Sequence, residues 1–252
     1  MDSRIQLNQS VNILNIAAYR FVALDNLPAL RRWLLELCAA ENLRGTILLA
    51  PEGINLFLAG PAAGIAGLRR ALAADDRLVG MDFKESWSSG TPFKRLKVKI
   101  KNEIIAFGVP GIDPARDPAP ALDPATLKSW LDEGREVILL DTRNAFEVAR
   151  GSFEGAVHLG NDTFRGFASV AGSLPVTDQD TPVVTFCTGG IRCEKAAPLL
   201  RQLGHRNVFQ LSGGILRYLE RVGSAHYRGA CFVFDERVGL DANLASQKTE
   251  QL

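Results

Sequence analysis

The chain has 252 residues, enough for one large domain or two of ordinary size. Its 46% hydrophobic and 23% charged residues are those of a folded globular protein, which excludes disordered and collagen-like classes. A net charge of +1 gives no global field to attract nucleic acid, so any nucleic-acid surface has to be a local patch.

Apolar runs such as residues 47–50 and 137–140 fall far short of the roughly 20 residues that span a bilayer. Residues 1–6 show no basic and then apolar leader. A cytoplasmic protein is therefore expected. Cys38, Cys187, Cys193 and Cys231 form no Cys-x-x-Cys pair, and His158, His205 and His226 are scattered, so no metal site is expected. In a reducing compartment a disulfide framework is not expected either. What remains is buried free thiols, or one reactive thiol.

Residues 11–24 alternate loosely in hydrophobicity and suit a strand. Residues 27–43 place Leu30, Leu34, Leu37 and Cys38 at helical spacing, with Pro28 near the helix start. Residues 45–60 are two apolar runs joined by Pro51, Glu52 and Gly53, a hairpin signal. A second helix fits 62–74, and two more strands fit 82–87 and 95–107. The order β-α-β-β-α-β predicts a ferredoxin-like N-terminal domain over residues 1–108 in an α/β protein. Residues 109–122 carry Pro110, Pro114, Pro118 and Pro120 with little to bury, and are expected to be a linker.

The second half changes rhythm. Helices fit 124–133, 162–171 and 193–203, and short apolar strands fit 137–140, 155–159, 182–186 and 208–211. Strands alternating with helices predict a parallel sheet covered on both faces, over residues 123–226, with a short tail at 227–252. Working sites in such sheets lie at the carboxyl ends of strands. Cys187 stands at that place, directly after the 182–186 strand.

Three features then act together on Cys187. Thr188, Gly189 and Gly190 permit positive backbone dihedrals, so successive N–H groups can curl around one centre. A helix starting near Cys193 points its dipole at the same place. Arg192 adds a positive charge. Each favours the thiolate, which is the reactive form, and the same nest would hold a persulfide anion. The arginine lies five positions after Cys187, whereas cysteine phosphatases carry theirs six positions after, where this chain has Cys193. The tighter cradle suits sulfur better than a tetrahedral phosphoryl group, which disfavours a phosphatase. The competing reading is a buried strand-end thiol followed by an ordinary glycine turn. Cys193 is either a thiol that resolves an oxidised or persulfidated Cys187 or a helix residue with no role.

Asp141 to Glu147, then Gly155 to Leu159, then Cys187 to Cys193 resemble successive signatures of a rhodanese domain. More specifically, the chain resembles the bacterial rhodanese-containing tRNA wobble-uridine hydroxylases over nearly its whole length, including residues 50–55, 92–99, 187–195 and 231–238. The loop Cys187, Thr188, Gly189, Gly190, Ile191, Arg192, Cys193 is moderately specific; its combination with this N-terminal half is highly specific. The resemblance implies a rhodanese-like second domain and oxygen-dependent hydroxylation at C5 of the wobble uridine in the tRNA anticodon, giving 5-hydroxyuridine. Molecular oxygen is then a co-substrate, and the family's active-site cysteine, described as a persulfide intermediate, maps onto Cys187. No cofactor is evident, for there is no His and carboxylate facial triad, no Gly-x-Gly-x-x-Gly fingerprint and no haem motif. Many such relatives continue past the 231–238 motif into an extension with further cysteines, whereas this sequence ends at Leu252.

Arg95, Lys97, Lys99 and Lys101 alternate with Leu96, Val98 and Ile100, so a period of two puts four charges on one face or edge, beside Lys94. Such a row would attract a phosphate backbone, and with the resemblance it is expected to contact tRNA at the anticodon stem-loop, with a sulfur donor as a further partner. The alternatives are an edge strand carrying lysines against aggregation, or a face paired with Glu85. Asp141 and Arg143 follow a buried strand and are placed to brace a neighbouring loop, or merely to cap locally. Glu147 and His158 read as structural, residues 51–55 as a hairpin tip that either ends there or approaches substrate, and Trp87 and Arg237 stay unassigned. Two other function classes fit the loop. One is a sulfurtransferase passing sulfane sulfur from thiosulfate or a carrier to an acceptor; the other is a non-catalytic RNA-binding or sulfur-relay module. The basic strand favours RNA over thiosulfate.

Overall fold

Alternating side chains build the first sheet. The computed structural model describes residues 12–175, 178–233, 235, 237 and 239–241; the leader reading at 1–6 and Phe234, Glu236 and Val238 of the C-terminal motif lie outside them. The N-terminal elements are β1 (Ile13–Phe21), α1 (Leu27–Ala40), β2 (Arg44–Ala50), β3 (Gly53–Gly60), α2 (Ala62–Ala73), β4 (Lys84–Ser88) and β5 (Leu96–Ile100). The sheet order is β4-β1-β3-β2-β5, antiparallel except where β2 meets β5. Leu14, Ile16, Ile47, Leu49, Ile54, Leu56 and Val98 form a core with Leu34 and Cys38 of α1 and Leu68 of α2. The opposite set of the same strands, Asn15, Ala17, Tyr19, Thr46, Leu48, Asn55 and Phe57, has neither α1 nor α2 over it and lines a cavity instead. The βαββαβ arrangement is the expected one.

The strand expected over 95–107 stops at Ile100. Beyond it the backbone N–H groups find other acceptors. Ile104 donates to the Glu52 carboxylate at 2.7 Å, and Phe107 and Gly108 donate to Glu103 at 2.9 and 3.1 Å. Residues 101–107 therefore form a loop that crosses to the second half of the chain.

That half contains β6 (Ala121–Leu122), α3 (Pro124–Asp132), β7 (Ile138–Asp141), α4 (Ala145–Val148), β8 (Gly151–Phe153), β9 (Val157–His158), α5 (Phe164–Val170), β10 (Val183–Phe186), α6 (Cys193–Gln202), β11 (Val208–Leu211) and α7 (Gly214–Val222). The sheet β6-β11-β10-β7-β9 is parallel throughout. Phe167, Ala196, Ala197 and Leu200 cover one face, and Leu127, Ile215, Tyr218 and Leu219 the other. In the segment expected as linker, Val109 and Ile112 pack against the first of these cores and residues 121–122 form the edge strand β6. Past residue 226, β12 (Tyr227–Gly229) pairs with β8, and β13 (Cys231–Phe232) pairs with β14 (Gly239–Leu240). No helix among the described residues is long and apolar enough to cross a membrane.

The two halves are joined by an apolar cluster and a buried charge. Ala50, Ile104 and Ile191 pack together with Tyr19, Phe21 and Ile105. Beside them the Lys195 ammonium, 2% exposed, reaches Glu52 at 2.8 Å, Glu103 at 2.7 Å and the Ile105 carbonyl at 3.3 Å. Burial pushes the Glu103 carboxyl up, but Lys195 and the Phe107 and Gly108 N–H groups outweigh it and hold it below the usual range. A carboxyl lowered on folding stabilises the native state above its unfolded pKa, and that contribution is lost as pH falls through the folded value. Replacing Lys195 with Met strands both carboxylates. Because each keeps some solvent, the expected loss is roughly 2–3 kcal/mol, below that of a fully buried pair, or about 5–10 °C in Tm. Thermal melts of the K195M variant between neutral and mildly acid pH should show this deficit shrinking as the medium is acidified.

Candidate active site

Strand β10 is buried along its length and ends at Phe186, whose carbonyl is held by the Thr142 N–H and hydroxyl, each at 3.0 Å. Cys187 follows, fully buried from bulk solvent at the base of the cavity. The Gly190 N–H points at its sulfur at 3.1 Å. Gly190 has a φ of +101°, and a Cβ there would stand 2.9 Å from the Tyr19 hydroxyl, so the position needs glycine. Gly189 has no such constraint and faces open space. The carbonyls of Cys187 and Thr188 turn the other way and accept the N–H groups of Ile215 and Leu216 at 2.9 and 3.0 Å. Gly214 makes this possible, for a Cβ there would lie 2.4 Å from the Cys187 carbonyl oxygen. The loop thus aims N–H groups at sulfur because the amino end of α7 takes its carbonyls.

Arg192 does not stand as a lone cation. Its guanidinium forks onto Glu147 at 2.6 and 2.8 Å, with both side chains almost wholly buried. Burial raises the Cys187 thiol, but the Cys193 S–H, the Arg192 charge and the N–H groups of Arg192 and Gly190 overcome it and bring Cys187 down to about 5. Cys193 moves oppositely: burial and the neighbouring Cys187 push it well above the usual thiol value, and Thr142 stands 3.8 Å from its sulfur. Burial alone lifts Cys38 to about 12, and burial dominates in raising Cys231 to about 12. Cys193 is therefore placed as a neutral donor to the Cys187 thiolate.

Asp141 and Arg143, expected either to brace the loop or to cap locally, are fully buried and pair with each other at 2.6 Å, and the Asp141 carboxylate caps the Arg143 N–H at 3.1 Å. Their remaining bonds go to Ser152 and the Gly151 carbonyl, which fastens β8 to β7. The loop itself is braced by Thr142 and by Glu147, which the sequence reading treated as structural. Its signal was the Asn144-x-x-Glu147 helix start, where the Glu147 carboxylate also accepts the Asn144 N–H at 3.1 Å. His158 binds the Arg143 carbonyl at 2.9 Å and so holds the same turn.

The cavity above Cys187 has a volume of about 1040 Å³ and is walled by both halves of the chain. The N-terminal sheet supplies Asn15, Tyr19, Asn55, Phe57 and Lys84; the cysteine loop supplies Thr188, Gly189, Ile191 and Arg192. The Tyr19 hydroxyl donates to Glu194 at 3.0 Å, and Gln210 donates to the other Glu194 oxygen at 3.1 Å. Burial and the Glu194 and Cys187 charges hold the Tyr19 phenol well above its usual value, and burial pushes Glu194 up as well. The hairpin tip at 51–55 divides its work: Glu52 binds Lys195, while Asn55 donates to the Ile104 carbonyl at 3.1 Å and faces the cavity. Arg237, left unassigned from sequence, bonds Ser86 at 2.6 Å and lines the cavity with Asp235 and Val233.

The basic strand β5 is an edge strand, and its register pairs Lys97 with Thr46 and Lys99 with Leu48. Lys97 and Lys99 therefore share the helix-free sheet face with the cavity, and Lys101 lines the cavity itself. Among the described residues, no carboxylate pairs with Arg95, Lys97, Lys99 or Lys101, and Glu85 is taken by Arg69 at 2.5 Å. Lys94 and Arg95 are exposed just before the strand.

With Cys187 near 5 and the other three thiols raised, alkylation from roughly pH 6 to 8 should label Cys187 alone at a nearly constant rate. Cys193→Ala removes a donor, so its labelling curve should inflect at higher pH. Peptide mapping of iodoacetamide-treated protein reads both, and a wild-type rate that climbs steadily through this window would contradict the assignment.

Residues 13–104 match the model of a UPF0176 acylphosphatase like domain, and residues 123–221 match that of a Rhodanese-like domain. The chain is 52% identical over 243 residues to a tRNA uridine(34) hydroxylase of Variovorax paradoxus, covering 94% of this chain and 92% of that one. It is 52% identical over 238 residues to the protein of that name from Bordetella petrii, covering 92% and 94% of the two chains. Among solved structures, the rhodanese-like domain from the Anabaena sp. Alr3790 protein aligns over 44% of this chain and 79% of its own, at 23% identity and a TM-score of 0.38. With half of its residues shared across nearly the full length of such relatives, this chain belongs to the tRNA uridine(34) hydroxylase family.

Proposed function

We propose that this chain hydroxylates C5 of uridine 34 in tRNA to give 5-hydroxyuridine, in the cytoplasm, with molecular oxygen as co-substrate and a two-electron donor that reduces its second oxygen atom to water, using Cys187 as its active-site cysteine. The observation that carries the reading is one shared cavity: the anion cradle of Cys187 lies at its base, and a sheet face edged by unpaired lysines forms its wall. The volume of about 1040 Å³ accommodates a nucleotide drawn out of its stack, as chemistry on a base requires. Lys97, Lys99 and Lys101 meet the phosphates of an anticodon stem-loop, while Asn15, Asn55 and Lys84 offer polar groups to the base. The cradle that favours a thiolate also holds a persulfide anion on Cys187, loaded by a sulfur donor. Family membership supports the substrate; the local charge balance supports the sulfur.

Nucleoside mass spectrometry of tRNA from a deletion strain lacking any redundant pathway tests the reaction. The 5-hydroxyuridine derivatives should vanish, return with the wild-type gene, and stay absent with Cys187→Ala. Their persistence without the gene would sink the hydroxylase reading, and full rescue by the alanine variant would remove Cys187 from its role. For the basic strand, replacing Lys97, Lys99 and Lys101 with Gln should reduce the slope of log affinity for tRNA against log salt by roughly 2. An unchanged slope in filter binding would free that strand from any contact with phosphate.

A further inference from the structure

Near the cysteine loop stands an aromatic pair, one ring of it half exposed, that the site above does not use. Phe146, on α4, is 50% exposed. Its ring meets Phe232 of β13 edge to face, with centroids 5.2 Å apart and planes at 86°. In an edge-to-face pair at least one face of Phe146 is not taken by its partner. The Arg150 guanidinium lies 5.9 Å from the centre of the Phe232 ring and makes no ion pair among the described residues. The backbone of the pair is tied to the cysteine loop. The Thr188 hydroxyl donates to the Phe232 carbonyl at 3.3 Å, and Phe146 sits between Asn144, which lines the cavity, and Glu147, which holds Arg192.

An exposed phenylalanine gains nothing in water, and a flat π surface beside an unpaired cation matches one class of ligand, a base with its phosphate. We propose that Phe146, with Phe232 behind it and Arg150 beside it, is a stacking platform for the nucleobase next to the target uridine. This inference rests on the tRNA reading. Drawing one base into the cavity breaks its stacking with a neighbour, and the platform gives that neighbour a new face, which lowers the cost of extraction. Stacking tolerates any base, so the platform adds affinity without reading sequence.

The test uses the full-length protein and a synthetic anticodon stem-loop RNA, intact or abasic at the nucleotide on either side of uridine 34. Phe146→Ala and Phe146→Leu should each weaken binding of the intact RNA roughly tenfold, while Phe146→Trp keeps it. The salt slope should not move, since no charge is lost. On the RNA abasic at the stacked neighbour, wild type and variants should bind alike, which a merely structural role for Phe146 would not produce. Binding of the intact RNA by Phe146→Ala and Phe146→Leu within twofold of wild type overturns the platform and leaves the function reading untouched. So does an equal loss on the intact and both abasic RNAs. Failure of the wild-type protein to bind the intact RNA at all overturns both.

Discussion

A single buried ammonium decides how this molecule is put together. Lys195 begins in the first turn of α6, immediately behind the cysteine loop, and ends between Glu52 of the first hairpin and Glu103 of the crossing loop. A lysine 2% exposed is tolerable only with carboxylate partners, and here both belong to the other half of the chain. The relative placement of the halves is therefore coupled to the charge on α6. Ile191, on the cysteine loop itself, enters the apolar cluster with Ala50 and Ile104 and reinforces that coupling. The site exists because these contacts press a helix-free sheet face against the carboxyl end of a parallel sheet.

Within that frame the chemistry of Cys187 is a balance of opposed effects. Burial disfavours the thiolate, and three kinds of group reverse it: a thiol donor, a guanidinium and backbone N–H groups. Each of these needs its own support. Arg192 is aimed by Glu147, Gly190 leaves room for the Tyr19 hydroxyl that a Cβ would crowd, and the loop carbonyls are drawn away by α7. Mobile solvent dipoles are thereby replaced by fixed ones, which need no reorganisation when charge develops on sulfur. Tyr19 extends the arrangement across the domain boundary, since its hydroxyl lies over Gly190 while bonded to Glu194.

Much of this was legible from residue order. The run from a buried strand into Cys187, the Gly-Gly turn, Arg192 and a helix start marked the candidate site, because these features are local in the chain. The alternation of β5 marked a charged face for the same reason. The strand expected over 95–107 ends at Ile100. Ile104 and Ile105 look like strand residues in isolation, but their surroundings include Glu52 and Lys195, which are distant in sequence.

The sequence by itself determined most of the N-terminal elements, the two-part architecture, the candidate cysteine at the end of a buried strand and, through resemblance along nearly the whole chain, the family. Only the tertiary structure decided which groups act on that cysteine. It assigned Arg192 to Glu147 rather than to Cys187 alone, chose local capping over bracing for Asp141 and Arg143, gave the bracing of the loop to Thr142 and Glu147, and brought Tyr19 and Lys101 to the same cavity. The reason is the range of the forces involved. Periodicity and turn chemistry act between neighbours in the chain, whereas ion pairing and burial depend on separations in space, and residues 19 and 194 become neighbours only when both domains are folded and docked.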